Sequence, residues 1–319
     1  MAGAAASRIV RDLKRNSKKQ IQKSGVIRIK PFAWITIALL LISSLILILH
    51  LSTTGEEFSR YNVGWTGTSH FFSTLDRHTT SEILTPSNLA GYKNATLVVI
   101  APDRELTAAE GASYHDFVAR GNTMLLADDF GSGNTLLRSL GATIVIQSGN
   151  LSSVDRAYDD AYMVVVHPVG DTGFLPAGSS VVLDQASSLT GGEPLLNTSV
   201  FSWVDEIPDR QLSSKEVLGT YTVMAQERIG DGTLYVLSDP SIFINGMKDP
   251  GASYANRLFL EKIVRTPGPL LIDTYSSRTG QVDGIGEIIL VVRTNNEYRF
   301  VIAALLMAGI IIAWHRRII

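Results

Sequence analysis

Cysteine is absent from the 319-residue chain. That removes disulfides, thiolate metal ligands and a thiol nucleophile together, and leaves the redox compartment unread. No G-x-S-x-G elbow occurs to seat a serine nucleophile instead. The nearest approach, GASYH at Gly111–His115, lacks the second glycine and falls in a predicted helix, so it reads as core packing. No G-x-G-x-x-G follows a strand, and no P-loop lysine follows a glycine-rich turn. The histidines His50, His70, His78, His115, His167 and His315 contain no i, i+4 pair of the kind that ligates a metal on a helix. Asp239-Pro240-Ser241-Ile242-Phe243 nearly spells an Asp-x-Ser-x-Ser cation loop, but Phe243 replaces the last hydroxyl. These absences leave no expected catalytic residue, metal or cofactor.

Charge is missing from two long runs. Pro31–Leu51, PFAWITIALLLISSLILILHL, has His50 as its only titratable side chain. As a helix it would extend roughly 31 Å at about 1.5 Å per residue, close to the hydrocarbon thickness of about 30 Å. Phe300–Trp314, FVIAALLMAGIIIAW, is shorter, but Tyr298 and Trp314 mark its edges and Arg316-Arg317 follow. A cleaved signal peptide would have a shorter basic region than residues 1–30 and a small-residue cleavage site, which is lacking. The expectation is therefore two transmembrane helices.

The formal net charge of −2 conceals an asymmetry: residues 1–30 carry nine Lys/Arg and one acid, whereas residues 52–298 carry 16 Lys/Arg and 29 Asp/Glu. Basic outer flanks place both termini in the cytoplasm and residues 52–298 outside. An acidic middle region repels phosphate, which argues against nucleic acid as a partner. The basic tail, with Ile9, Val10 and Leu13 on one stripe, suits either the membrane surface or a cytoplasmic partner. Asn94, Asn150 and Asn197 begin glycosylation-type triplets, all in the outer region; ordinary polar turns explain them equally well.

The outer region alternates strand and helix patterns. TLVVIAP (Thr96–Pro102), NTMLLADD and TIVIQSG read as strands. Between them lie a helix opened by a Thr107/Glu110 capping box and stopped at Gly121, and a helix with Asn134 as cap and Gly141 as stop. Ala108, Ala112, His115, Val118 and Ala119 form the predicted inner stripe of the first helix. This spacing implies parallel pairing with right-handed crossovers. Gly67–His78 reads as an earlier helix, and YMVVVHP and SVVLDQ as later strands. Gly230-Asp231-Gly232 joins a hairpin that ends in Ser238-Asp239-Pro240-Ser241. A helix with Leu258, Phe259, Lys262 and Ile263 on its stripe follows. The expected fold is α/β: a doubly wound, mostly parallel sheet between two transmembrane helices.

Three places could hold a ligand. Thr66, Gly67, Thr68 and Ser69 open a helix, where free N–H groups attract anions but also serve simple capping. Asp128-Asp129 close a strand at the edge where such sheets bind ligands, yet Asp before Gly and Ser is also turn chemistry. Asp239 stands at the same edge, able to face a site or to cap a turn.

The segments NATLVVIAPDRELTAAEGASYHDFVARGNTMLLADDFGSGNTLLRSLGA and IGDGTLYVLSDPSIFINGMKDPGASYANRLFLEKIV resemble the prokaryotic membrane family called domain of unknown function 4350. The likeness rests on Asp128-Asp129 followed by Gly131 and Asn134, and on Ser238-Asp239 followed by Phe243, Asn245 and Asn256-Arg257-Leu258. Asp273-Thr274-Tyr275 stands where the family tends to have Asp-Glu-Tyr. The resemblance, over roughly residues 60–319, implies a class I glutamine-amidotransferase-like (flavodoxin-like) fold related to auxiliary domains of gliding-type ABC transporters. Asn134 and Asn245 complete the ligand-site candidates. Through neighbouring genes it implies partners of the MoxR ATPase and von Willebrand membrane-protein kinds. It implies no activity.

The expected layout is a basic cytoplasmic tail (1–30), a first span (31–51), an extracytoplasmic domain (55–268), an extended connector (269–298), a second span (299–315) and a cytoplasmic end (316–319). The expected role is a non-catalytic interaction or scaffold module of a membrane complex. The alternative is an accessory domain binding a sugar or peptide for transport or envelope assembly. A hydrolase using Asp239 or Asp128 ranks last.

Overall fold

The computed structural model describes residues 39, 42–43, 54–75, 79–176, 178–251 and 253–282. Both apolar runs lie outside them, apart from Leu39, Ile42 and Ser43, which are helical and exposed. Among the described residues no helix is long and apolar enough to cross a membrane.

An eleven-stranded mixed sheet organises residues 54–282. Its strands are β1 (Thr80–Ile83), β2 (Thr96–Ile100), β3 (Thr123–Ala127), β4 (Val145–Ile146), β6 (Met163–Pro168), β7 (Val181–Asp184), β8 (Leu189–Thr190), β9 (Glu193–Thr198), β11 (Thr222–Ile229), β12 (Gly232–Leu237) and β13 (Leu270–Asp273). The main path runs β1-β13-β2-β3-β12-β11-β9-β6-β7. β5 (Asn150–Ser153) and β10 (Ser202–Asp205) form a separate antiparallel pair.

The sheet has two halves. From β1 to β12 every pairing is parallel. From β12 to β7 every pairing is antiparallel. The parallel half comes from strands separated by helices; β2 is buried along its whole length, as a strand covered on both faces must be. The antiparallel half starts at the β11–β12 hairpin, whose turn places Gly230 at φ +58° and pairs Ile229 with Gly232. The sheet is thus mixed rather than mostly parallel.

The connector expected from Pro269 onward departs most. Its first residues form β13, buried throughout and inserted between β1 and β2. A three-residue apolar run beside prolines carries too little pattern to separate an inner strand from an extended linker. TIVIQSG also differs: it supplies only the two residues of β4, antiparallel to β8.

Helices cover both faces. α2 (Ala108–Ala119) and α3 (Gly133–Leu140) close one core through Tyr114, Phe117, Val118, Leu136, Leu137 and Leu140. α1 (Ser69–Thr74) and α4 (Asn256–Val264) close the other through Phe71, Phe259, Leu260 and Ile263. The Thr107/Glu110 capping box is present in full, and Gly121 and Gly141 follow their helices at φ +96° and +67°. The inner face of α2 is Gly111, Tyr114, Phe117 and Val118, with Ala108 and Ala112 outside. Alanine is neutral between core and solvent; the large aromatics decide the face. In α4, likewise, Leu258 and Lys262 are exposed while Asn256 and Leu260 turn inward.

Asn94 is exposed, whereas Asn150 and Asn197 sit in strands with buried side-chain oxygens.

Candidate functional site

The C-terminal ends of β2, β3, β12 and β13 share one edge, where the sequence-selected acids stand. Asp128 continues β3, its N–H donating to Leu237 O at 3.0 Å. Its side chain is almost wholly buried and accepts from Gly131 N at 3.2 Å and Gly133 N at 2.7 Å. Asp128 therefore caps the start of α3. A Cβ on either glycine would fall 2.5 Å from an Asp128 oxygen, so glycine is needed for the carboxyl to reach the backbone. Asn134, expected as the cap, lies inside the first turn and clamps Ile146: its Oδ1 accepts from Ile146 N at 2.9 Å and its Nδ2 donates to Ile146 O at 2.8 Å.

Asp239 is fully buried behind the same edge. One oxygen accepts from Ser241 N at 2.6 Å and caps the 3-10 turn Pro240–Phe243; the other accepts from Asp184 N at 2.8 Å. It ties the end of β12 to the end of β7.

A pocket of about 390 Å³ opens in front of these acids. Asp128, Asp129, Gln185 and Ser241 line it from the strand ends, with Glu57, Phe58 and Arg278 closing it from the two ends of the described unit. Arg278 donates to Glu57 Oε2 at 3.1 Å and lies 5.2 Å from the centre of the Phe58 ring. Glu57 and Arg278 are 221 positions apart, so no local pattern joined them to the acids.

Desolvation dominates the electrostatics. Burial pushes Asp128 up to about 7, with the Gly133 and Gly131 N–H groups pulling the other way and the neighbouring Asp129 charge adding to the rise. Asp129 and Asp184 are raised by burial too. Asp239 is held well above the usual carboxylate range by burial, reinforced by the charge of Asp129. Such shifts mark candidate sites, but here both oxygens of Asp128 and of Asp239 already accept backbone hydrogen bonds. Among the described residues no group of three or more His, Cys, Asp or Glu is arranged to hold a metal ion.

The second group of candidates lies apart from the acids. Asn245 donates to Gly64 O at 2.7 Å and accepts from His70 N at 2.8 Å, fastening the start of α1. Thr68 N and Gly67 N donate to Ser59 O and Gly64 O, and the Thr68 hydroxyl donates to Phe58 O at 2.7 Å. The hydrogen-bonding capacity expected for an anion is thus largely used internally. The structure brings Thr66, Gly67, Thr68, Ser69 and Asn245 together, gathers Asp128, Asp129 and Asp239 at the strand ends, and leaves Asn134 on neither.

The Asp273-Thr274-Tyr275 corner is structural. Tyr114 OH donates to Asp273 Oδ2 at 3.2 Å, and Tyr275 OH donates to Glu110 of the capping box. The corner thereby pins β13 to α2.

The profile of the family described as "Domain of unknown function (DUF4350)" matches residues 60–264. The chain belongs to the DUF4350 family. The match takes in Asp128, Asp129, Asp239 and Asn245, whereas Glu57, Arg278 and the Asp273–Tyr275 corner fall outside it. The pocket of this DUF4350 protein is thus built partly by chain flanking the matched region. No curated protein matches the chain. Among solved structures, the mmIFT52 N-terminal domain is 16% identical with a TM-score of 0.42, covering 56% of this chain and 78% of that one. A beta-galactosidase from Bacillus circulans sp. alkalophilus is 12% identical with a TM-score of 0.30, covering 47% and 21%. A cytoplasmic protein from Salmonella typhimurium LT2 is 12% identical with a TM-score of 0.32, covering 61% and 81%.

Proposed function

We propose that this DUF4350 chain is a two-pass membrane protein whose α/β unit lies outside the cytoplasm and acts as a non-catalytic interaction module of a membrane complex. One observation carries the non-catalytic reading. At the edge where α/β sheets place their chemistry, Asp128 and Asp239 are buried and spend their oxygens on backbone N–H groups. A general acid or base needs a free atom within reach of substrate. The chain also lacks the cysteine that amidotransfer would use, so a glutamine-amidotransferase-like ancestry would survive here as architecture only.

The membrane reading rests on the two apolar runs and on where the chain enters and leaves the sheet unit. Arg60 N donates to Thr279 O at 3.0 Å, and the Ser59 hydroxyl donates to Gln281 O at 2.5 Å. Two spans leading to adjacent points on one unit make a simple double anchor. MoxR-type, von Willebrand-type or ABC-transporter partners follow from the family resemblance alone.

Tagged full-length protein extracted in mild detergent is expected to retain stoichiometric membrane-protein partners; isolation of the chain alone would count against the module. The second reading, a sugar- or peptide-binding accessory domain, is favoured by the pocket of about 390 Å³. A thermal-shift screen of the detergent-solubilised chain against sugars and short peptides distinguishes it, because only this reading predicts ligand-dependent stabilisation.

A further inference from the structure

We propose that the lobe formed by residues 199–221 is a membrane-contacting surface that rests its apolar side chains on the bilayer beside the two anchors. The inference builds on the two-span reading above. It starts from topology. β12 ends at the pocket edge, β11 runs antiparallel to it and begins there, and β9 ends opposite the start of β11. The chain between β9 and β11 therefore emerges at the same edge as Asp128 and Asp239. That segment carries Val200, Phe201, Ile207, Leu212, Val217 and Leu218, exposed by between 44% and 72%. Six large apolar side chains left exposed on one 23-residue segment are what a contact surface would use.

The lobe is held in place. Gly219 N donates to Ser202 O at 2.8 Å, and Glu216 accepts from Glu206 N and Ser213 N at 3.0 and 2.7 Å. Asp205 accepts from Tyr162 OH and Arg210 N, each at 2.8 Å. It also reaches the pocket edge: the Arg210 guanidinium lies 4.8 Å from the centre of the Tyr162 ring, Gln185 N donates to Tyr162 O at 3.1 Å, and Gln185 lines the pocket with Glu57 and Arg278.

The short tether selects lipid as the occupant. Only residues 52 and 53 separate the first apolar run from Thr54. Three residue steps cover at most about 10 Å even when fully extended. On the two-span reading, Thr54 is held within that distance of the membrane interface, and the segment between β9 and β11 emerges at the strand-end edge that Glu57 and Phe58 also line. Its charges, Asp205, Glu206, Asp209 and Glu216 against Arg210 and Lys215, leave it without a basic surface for anionic headgroups. Contact is apolar and insensitive to salt.

The absence of cysteine gives a direct test. Phe201→Cys, Val217→Cys, Asp231→Cys and Leu45→Cys are made singly in the full chain, labelled with an environment-sensitive fluorophore and reconstituted in phosphatidylcholine vesicles containing doxyl-labelled lipid. Asp231 is exposed at the opposite end of β12 and serves as the distant control. Probes at 201 and 217 are expected to be blue-shifted and strongly quenched by lipid-borne doxyl groups in low and high salt, with little quenching at 231. Quenching at 45 but not at 201 or 217 overturns the lobe contact and spares the two-span reading. No quenching at 45 overturns both. A blue shift at 201 that depends on protein concentration and escapes lipid quenching assigns the lobe to another copy of the chain and also overturns the proposal.

Discussion

At the scale of single residues, the acids of the pocket edge act first on stability. Replacing Asp239 by Ala leaves the N–H groups of Ser241 and Asp184 without their acceptors. The expected loss is about 2–6 kcal/mol, because each of the two unsatisfied donors costs about 1–3 kcal/mol. Chemical denaturation of the detergent-solubilised chain measures it; an unchanged midpoint would show that Asp239 is not a cap. The pH dependence has a definite sign. Folded Asp128 keeps its proton up to about pH 7, whereas an unfolded aspartate releases it near 4. Between those values the folded state binds more protons, so stability falls as pH rises through the window and then levels off. The full effect is roughly 3–4 kcal/mol. Asp129, Asp184 and Asp239 are shifted in the same direction. The denaturation midpoint should therefore be higher at pH 5 than at pH 8, and Asp128→Asn should flatten the slope. A midpoint that climbs from pH 5 to pH 8 would contradict burial as the dominant influence on these carboxyls.

At the scale of elements, side-chain clamps hold the places where sequence pattern is weakest. β4 has two residues and owes much of its position to Asn134, which bonds both backbone groups of Ile146. Asn134→Ala should cost about 1–2 kcal/mol and raise amide exchange around residues 144–147, with little change in β2 and β3. Equal protection in mutant and parent would remove the clamp from the account. The same contrast explains what the sequence disclosed. β2, β3, the capping box at Thr107 and the Gly230 hairpin follow from local rules of periodicity, capping and turn geometry, and all could be read directly. β13 could not, because its burial comes from neighbours about 170 residues away. Nor could the pocket be read whole: Asp128, Asp129 and Asp239 carry turn-like local signals, whereas Glu57 and Arg278 meet only because the two ends of the unit converge. The inner face of α2 departs from its alanine stripe because Tyr114 and Phe117 set it through long-range packing, with Tyr114 reaching Asp273.

For the whole molecule, the convergence of the chain ends and the charge layout make a joint demand on topology. Nine basic residues before the first apolar run and Arg316-Arg317 after the second favour cytoplasmic termini. The paired backbone near Arg60 and Thr279 brings the first and last described segments of the sheet unit together at one place. In cells producing single-cysteine variants, a membrane-impermeant maleimide should label Asp231→Cys on intact cells. Ser17→Cys should be labelled only after permeabilisation. The opposite pattern would place the acidic unit inside, and equal labelling of both sites before permeabilisation would leave the two apolar runs without a role as paired anchors.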